Sequence, residues 1–103
     1  MDILEKIHSV AKLKILYLPH AITQMSHPER MITTAETEKI IFKGEIIENY
    51  PNDSRGHSCL MLGHGINNRP IHLVCSPKDK FLAVITAYLP SDFEWIDNYR
   101  KRR

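Results

Sequence analysis

Residues 45–88 read EIIENYPNDSRGHSCLMLGHGINNRPIHLVCSPKDKFLAVITAY, and this stretch decides the fold. It contains four short apolar or alternating runs that are typical of β-strands: Glu45 to Tyr50, Ser58 to Leu62, Ile71 to Ser76 and Phe81 to Tyr88. Turn-forming residues, mostly Pro, Gly, Asn and Asp, separate the runs. Because short connections favour hairpins, we expect an antiparallel meander of about four strands.

Helical patterns precede this stretch. Apolar residues at helical spacing predict a helix from about Asp2 to Lys12, with Asp2 and Glu5 in a capping-box arrangement. The next segment, Lys12 to Leu18, alternates before a proline, which is compatible with a short strand or with more helix, and we favour the strand.

Two further helices are expected before the first strand of the meander. His20 to Met25 forms the shorter one. Thr33 and Glu36 make a second capping box for a helix that runs to Lys43, and Gly44 ends it. Helices that precede a meander pack on one of its faces, so the other face should be partly open.

The residues after the meander suggest a last helix. Ser91 and Glu94 are spaced as a capping box, and Trp95 begins an apolar stripe in which it would anchor the packing. The fold class is therefore α+β: amino-terminal helices on one face of an antiparallel sheet, and a short carboxy-terminal helix. We expect one domain over residues 1–103, with a helical extension at 1–19 and this helix at 91–103.

Charge argues against a general nucleic-acid binder. The net charge is +2, but four of the 14 basic residues form the tail at 100–103, which leaves ten against 12 acidic residues. Proteins that hold nucleic acid by charge alone usually carry a large positive surplus. The tail either contacts RNA or DNA or is a solvated helix end that suits the helix dipole, and we favour the second interpretation.

The apolar runs, the cysteines and the histidines predict the compartment and the metal content of the protein. No apolar run approaches the roughly 20 residues of a membrane span, and no signal-peptide pattern is present, so we expect a cytoplasmic protein without a membrane partner. Cys59 and Cys75 lie in apolar stretches and are expected to be reduced core residues. The six histidines show no ligand spacing, so neither a metal nor another cofactor is expected.

Short motifs recur in order from His20 onward: His20-Ala21, Arg30 to Ile32, Gly44 to Pro51, Arg55-Gly56, Arg69 to Val74 and Ile85 to Pro90. Together they resemble a widespread bacterial family of small uncharacterised domains, domain of unknown function 4258, whose core would span residues 20–90 here. Two features depart from that pattern. Gln24 stands where the family more often has Arg, and residues 26–30 form a longer stretch than usual.

The resemblance implies a function. The family is similar to small toxins of BrnT and RelE type, which are ribonucleases with helices packed on an antiparallel sheet. It therefore implies a metal-independent ribonuclease that acts on RNA or ribosomes and pairs with a cognate antitoxin-like protein. A fold alone hosts many activities, so the site residues must carry the assignment.

Metal-independent cleavage uses the RNA 2′-hydroxyl as nucleophile and needs a base, an acid and a cation for the phosphate. Six residues in the matching stretch have suitable chemistry: His20, His72 and Tyr88 for catalysis, and Arg30, Arg55 and Thr86 for substrate binding. Their plainer explanations are a hydrogen-bonded buried histidine, solvated arginines and strand packing. We weigh these explanations equally for His72.

Geometry separates the enzyme from its alternative, a noncatalytic protein- or RNA-interaction module that binds through its sheet face or basic tail. The enzyme requires His20, His72 and an arginine to converge in an open cleft.

The register of the last hairpin decides whether His72 and Tyr88 lie on the same face of the sheet. A four-residue loop that pairs Ser76 with Phe81 puts His72 away from Tyr88, and a loop one residue shorter or longer brings the two to one face.

Overall fold

The computed structural model describes every residue from Met1 to Arg103. Three helices and five strands form the main body, and two very short strands follow them. Their order is α1 (Ile3–Ala11), β1 (Ile15–Tyr17), α2 (Pro19–Met25), α3 (Thr34–Lys43), β2 (Glu45–Tyr50), β3 (Ser58–His64), a 3₁₀ turn (Ile66–Asn68), β4 (Pro70–Pro77), β5 (Leu82–Tyr88), β6 (Trp95–Ile96) and β7 (Lys101–Arg102).

The helix ends follow the capping signals of the sequence. The Asp2 side chain accepts a hydrogen bond from the Glu5 amide at 2.8 Å and starts α1. Thr33 and Glu36 form the reciprocal capping box at the start of α3. Gly44 ends that helix, so the predictions for these helices are confirmed.

The main sheet has five strands in the order β1-β5-β4-β3-β2. Strands β2 to β5 are antiparallel neighbours, as expected. The prediction of a purely antiparallel sheet was wrong, however, because β1 pairs in parallel with β5, with Ile15 beside Leu82. A parallel partner needs a long crossover, and here α2, α3 and three strands intervene between the two strands.

All three helices pack on one face of the sheet. Ile71 and Leu73 of β4 point to that face, so His72 between them points to the other. The sheet and the helices share one hydrophobic core: Ile7, Val10, Ala11, Ala21, Met25, Ile32, Ile40, Ile41, Cys59, Met61, Ile71, Leu73, Cys75, Leu82, Val84 and Ala87.

A β-bulge sets the register of the β4–β5 hairpin. Pro77 pairs with Leu82 across the turn, and Ile85 is then an extra residue in β5. The extra residue shifts the pairing by one position, so that His72 lies directly opposite Tyr88. The two side chains therefore share the face away from the helices.

The predicted carboxy-terminal helix was wrong. Residues 91–103, called the strap here, instead form a turn and a two-stranded hairpin in which β6 pairs with β7. Three consecutive residues between these strands, Asp97, Asn98 and Tyr99, have φ values of 54°, 54° and 68°. A right-handed helix cannot contain left-handed backbone, so the chain reverses at this point.

The strap covers part of the sheet face that was expected to be partly open. Trp95 is 3% exposed and anchors the strap, as the sequence suggested, although it does so from a strand. Phe93, two residues earlier, is 92% exposed.

No helix of this chain has both the length and the apolar character needed to cross a membrane.

Candidate functional site

His72 is the centre of the polar cluster beneath the strap, and none of its surface is exposed. Its Nε2 lies 2.8 Å from the backbone carbonyl of Tyr99. Because a carbonyl only accepts hydrogen bonds, Nε2 carries the proton of the neutral ring. Nδ1 then accepts from the Tyr88 hydroxyl at 3.2 Å. Both ring nitrogens are satisfied by groups of the protein itself.

Trp95 and an ion pair enclose this histidine. The Trp95 ring meets the His72 ring edge-on, with 4.3 Å between centroids. The Arg102 guanidinium lies 4.7 Å from the Trp95 ring centroid and donates two hydrogen bonds to Glu48, at 2.8 and 3.1 Å. The Tyr50 hydroxyl donates to the same carboxylate. The strap is thus tied to β2 and β4 at once.

The electrostatics favour a neutral histidine beside a charged pair. Burial lowers the pKa of His72, and this outweighs the Tyr99 carbonyl and the Glu48 charge, which raise it. For Glu48, burial raises the pKa, but hydrogen bonds from Arg102 and Tyr50 outweigh it and leave the pKa lowered. At neutral pH the imidazole is uncharged and the Glu48–Arg102 pair is ionised.

Three of the six predicted site residues share this face. Thr86 lies two residues before Tyr88 on β5 and opposite Val74 on β4. The side chains of Thr86 and Tyr88 are half-buried. His72 completes the group. Their predicted proximity depended on the hairpin register, which the bulge supplies.

His20 lies elsewhere. It is exposed near the start of α2, a helix whose Ala21 and Met25 belong to the core on the helical side of the sheet. His72 points to the opposite side. The sheet therefore separates the two histidines, and they do not converge on one cleft.

Arg30 is also apart from the cluster. Its Nη1 donates to the Gln24 side chain at 2.5 Å, so the arginine pairs with the residue at which the sequence departs from the family pattern. Arg30 lies in the α2–α3 connection, on the helical side of the molecule.

Arg55 lies in the β2–β3 turn, at the far end of the strands. It forms an ion pair with Asp53 at 3.0 Å, and its side chain is 58% exposed. The turn leads into Ser58, four residues before Leu62, which pairs with His72. That separation is about 13 Å along the strand. Arg55 therefore cannot reach the histidine cluster.

Residues 17–89 match the sequence pattern of a family described as a domain of unknown function, DUF4258. The chain belongs to this family. No curated protein and no solved structure matches it. The DUF4258 region runs from the last residue of β1 to just beyond β5, so the strap that covers His72 lies outside it.

Within the DUF4258 region, Arg69 is a residue to which sequence reasoning gave no role. Its guanidinium donates to the Glu36 carboxylate at 3.0 and 2.8 Å and to the Arg30 carbonyl at 2.8 Å. Glu36 is 4% exposed and also accepts from the amides of Thr33 and Ile66. The capping box pointed to Glu36, but nothing in the sequence linked it to an arginine 33 residues away.

The Glu36–Arg69 pair is structural. Burial raises the pKa of Glu36, but hydrogen bonds from Arg69 and from two backbone amides outweigh it and lower the pKa to about 2. The pair joins the start of α3 to the β3–β4 connection and holds the loop that carries Arg30.

Two further features of the chain bear on its chemistry: its two cysteines and its possible metal ligands. Cys59 and Cys75 lie opposite each other on β3 and β4, fully buried and not joined by a disulfide. No group of three His, Cys, Asp or Glu side chains is arranged to hold a metal ion.

Proposed function

We propose that this chain is a noncatalytic interaction module. The separation of His20 from His72 by the sheet carries this proposal, because a general base and a general acid must both reach the same phosphate. The burial of His72 adds support: its two ring nitrogens are already bonded to Tyr88 and Tyr99, so neither is free to exchange a proton with a substrate.

A cleavage assay tests the proposal. Single-stranded RNA, free and in the presence of ribosomes, is incubated with the protein and a chelator. We expect intact RNA with the wild type and with His20→Ala and His72→Gln, each checked for folding by circular dichroism. Cleavage by the wild type that folded His20→Ala lacks would instead identify an enzyme.

A second candidate is a ribonuclease of RelE or BrnT toxin type, kept in check by an antitoxin-like partner. One observation favours it. His72, Thr86 and Tyr88 share a face, and the strap that covers them lies outside the DUF4258 region. If the strap conceals an active site, Trp95→Ala should loosen it and produce cleavage that wild type lacks. The interaction module predicts intact RNA for this variant too.

We further propose that the protein acts in the bacterial cytoplasm. The support is the pair of Cys59 and Cys75, which lie opposite each other in the apolar core and pack there as small apolar side chains. Such pairs persist in a reducing compartment.

A further inference from the structure

A groove along one edge of α3 collects positive charge. Its volume is about 380 Å³. The lining residues come from α3, from the ends of β2 and β3 that adjoin it, and from the strap: Lys39, Ile40, Lys43, Gly44, Glu45, Leu62, Gly63, His64 and Arg100. Three positive charges, the negative charge of Glu45 and one histidine therefore face a single concavity, which is net positive, whereas the body of the chain is slightly acidic.

Two of these cations are free. Lys39 and Lys43 are exposed, one turn apart on α3, and neither side chain has a hydrogen-bond or ion-pair partner. Arg100 is paired with Glu45 at 2.5 Å, and both of these side chains are more than two-fifths exposed. An exposed pair of this kind contributes little to stability, so a ligand of stronger negative charge can displace the carboxylate.

Close packing forms the floor of the groove. A Cβ at Gly63 would lie 2.5 Å from the Ile40 side chain, so only glycine lets α3 approach β3 this closely. The apolar lining residues, Ile40 and Leu62, are 1% and 2% exposed. The groove thus offers charge and backbone but no apolar pocket.

The cations of the groove come from two elements: Lys39 and Lys43 lie one turn apart on α3, and Arg100 comes from the strap. A second depression of about 310 Å³ shares Lys39 and adjoins the groove along α3, but it adds no further cation and is lined in part by the exposed Ile66. Cations on three separate residues fit several linked phosphates better than a single phosphate ion. Protein partners usually insert apolar anchors, and the apolar side chains that line the groove itself are buried.

We propose that this groove binds the phosphodiester backbone of single-stranded nucleic acid, with Lys39, Lys43 and Arg100 on successive phosphates. The site deepens the proposed function and rests on it, since it names the partner of the interaction module. Only three phosphates need be engaged, so the slightly acidic body does not prevent binding. Arg100 comes from the strap, so the strap must be docked for the groove to be complete.

Fluorescence anisotropy with labelled single-stranded RNA of about 12 nucleotides tests the site. Three phosphate contacts on a single strand predict a slope of about −2 for log K against log salt, which is roughly a 20-fold loss of affinity between about 50 and 200 mM salt. Lys39→Gln/Lys43→Gln should weaken binding roughly tenfold at the lower salt and reduce the slope to about −0.7.

Two matched controls separate the groove from diffuse charge. Lys6→Gln/Lys80→Gln removes the same charge from exposed lysines that lie elsewhere and have no partner, and it should change affinity less than twofold or so. Glu45→Gln frees Arg100 and should tighten binding roughly twofold to fivefold, whereas Glu29→Gln should not. Equal losses from both lysine pairs would overturn the site.

The choice of probe, and whether the RNA probe is cut, distinguish the remaining outcomes. A DNA strand of the same sequence should bind comparably if the backbone phosphates are recognised. Binding of poly-glutamate, with no binding of either strand, would overturn the nucleic-acid assignment in favour of an acidic protein. RNA that stays intact but unbound contradicts the groove alone, whereas RNA that is cut contradicts the proposed function.

Discussion

The backbone carbonyl of Tyr99 in the strap accepts a 2.8 Å hydrogen bond from Nε2 of His72 in the middle of β4. His72 is fully buried, and an unpaired polar atom in a buried position is costly. The bond therefore links the position of the strap to the protonation and packing of one sheet residue. His72 therefore has a structural contact on each of its ring nitrogens.

Replacement of His72 measures that support. We expect His72→Ala to lower the free energy of unfolding by about 3 kcal/mol, because it leaves a cavity and deprives the Tyr99 carbonyl and the Tyr88 hydroxyl of their partner. Tyr88→Phe is the matched control: it removes only one hydroxyl and should cost about 1 kcal/mol. Urea unfolding followed by circular dichroism compares the two, and equal small losses would contradict a structural role for His72.

Stability should also depend on pH through His72. In the unfolded chain this histidine titrates near its ordinary pKa of 6.5, whereas burial lowers the pKa in the folded protein. Above pH 6.5 the ring is neutral in both states and its contribution is complete. As the pH falls below 6.5, the unfolded chain takes up a proton first, so stability decreases.

Urea unfolding at about pH 7.5 and pH 5.5 checks this expectation. The loss of stability between the two values should be smaller in His72→Gln, which keeps a donor for Tyr99 but cannot titrate. An identical loss in both proteins would assign the effect to the other five histidines.

The Glu36–Arg69 pair predicts a separate acid transition. Because hydrogen bonds hold the pKa of Glu36 at about 2, against an ordinary value of 4.5, its contribution is complete above pH 4.5 and is lost as the pH falls toward 2. The difference corresponds to about 3 kcal/mol. Glu36→Gln should therefore destabilise the protein by about that amount at neutral pH and flatten the acid limb of the stability curve. A variant as stable as wild type at pH 7 would contradict this account.

Trp95 and Phe93 provide a contrast within the strap. Trp95 is 3% exposed and packs against His72, whereas Phe93 is 92% exposed. Trp95→Ala should release the strap, so that the backbone amide of Arg103, which donates to the Glu94 carbonyl, exchanges with solvent much faster. Phe93→Ala should leave exchange unchanged. Hydrogen-exchange mass spectrometry distinguishes the two, and unchanged protection in Trp95→Ala would mean that other contacts hold the strap.

Local signals predicted the elements of the fold well. The capping residue Asp2 and the capping box at Thr33 marked the starts of α1 and α3, and the alternating runs marked β2 to β5. Each signal depends on only a few neighbouring residues, so it can be recognised in a single sequence. The parallel pairing of β1 with β5 was missed because it joins segments 67 residues apart, Ile15 and Leu82.

The site was harder to predict because its geometry depends on irregular backbone. The extra residue Ile85 decides that His72 faces Tyr88, and no residue preference announces such a bulge. The left-handed backbone at residues 97–99 turned an expected helix into a hairpin. The burial of His72 depends on that hairpin. The sequence alone therefore could not decide between a catalytic role and a structural role for this histidine.

Heteronuclear NMR of the His72 side chain tests the central claim most directly, namely that this histidine is a buried structural residue rather than a catalytic one. We expect a neutral ring with the proton on Nε2, protected from exchange with solvent and titrating below its ordinary pKa of 6.5. A ring that exchanges rapidly and titrates at or above 6.5 would contradict the claim and restore His72 as a candidate acid or base.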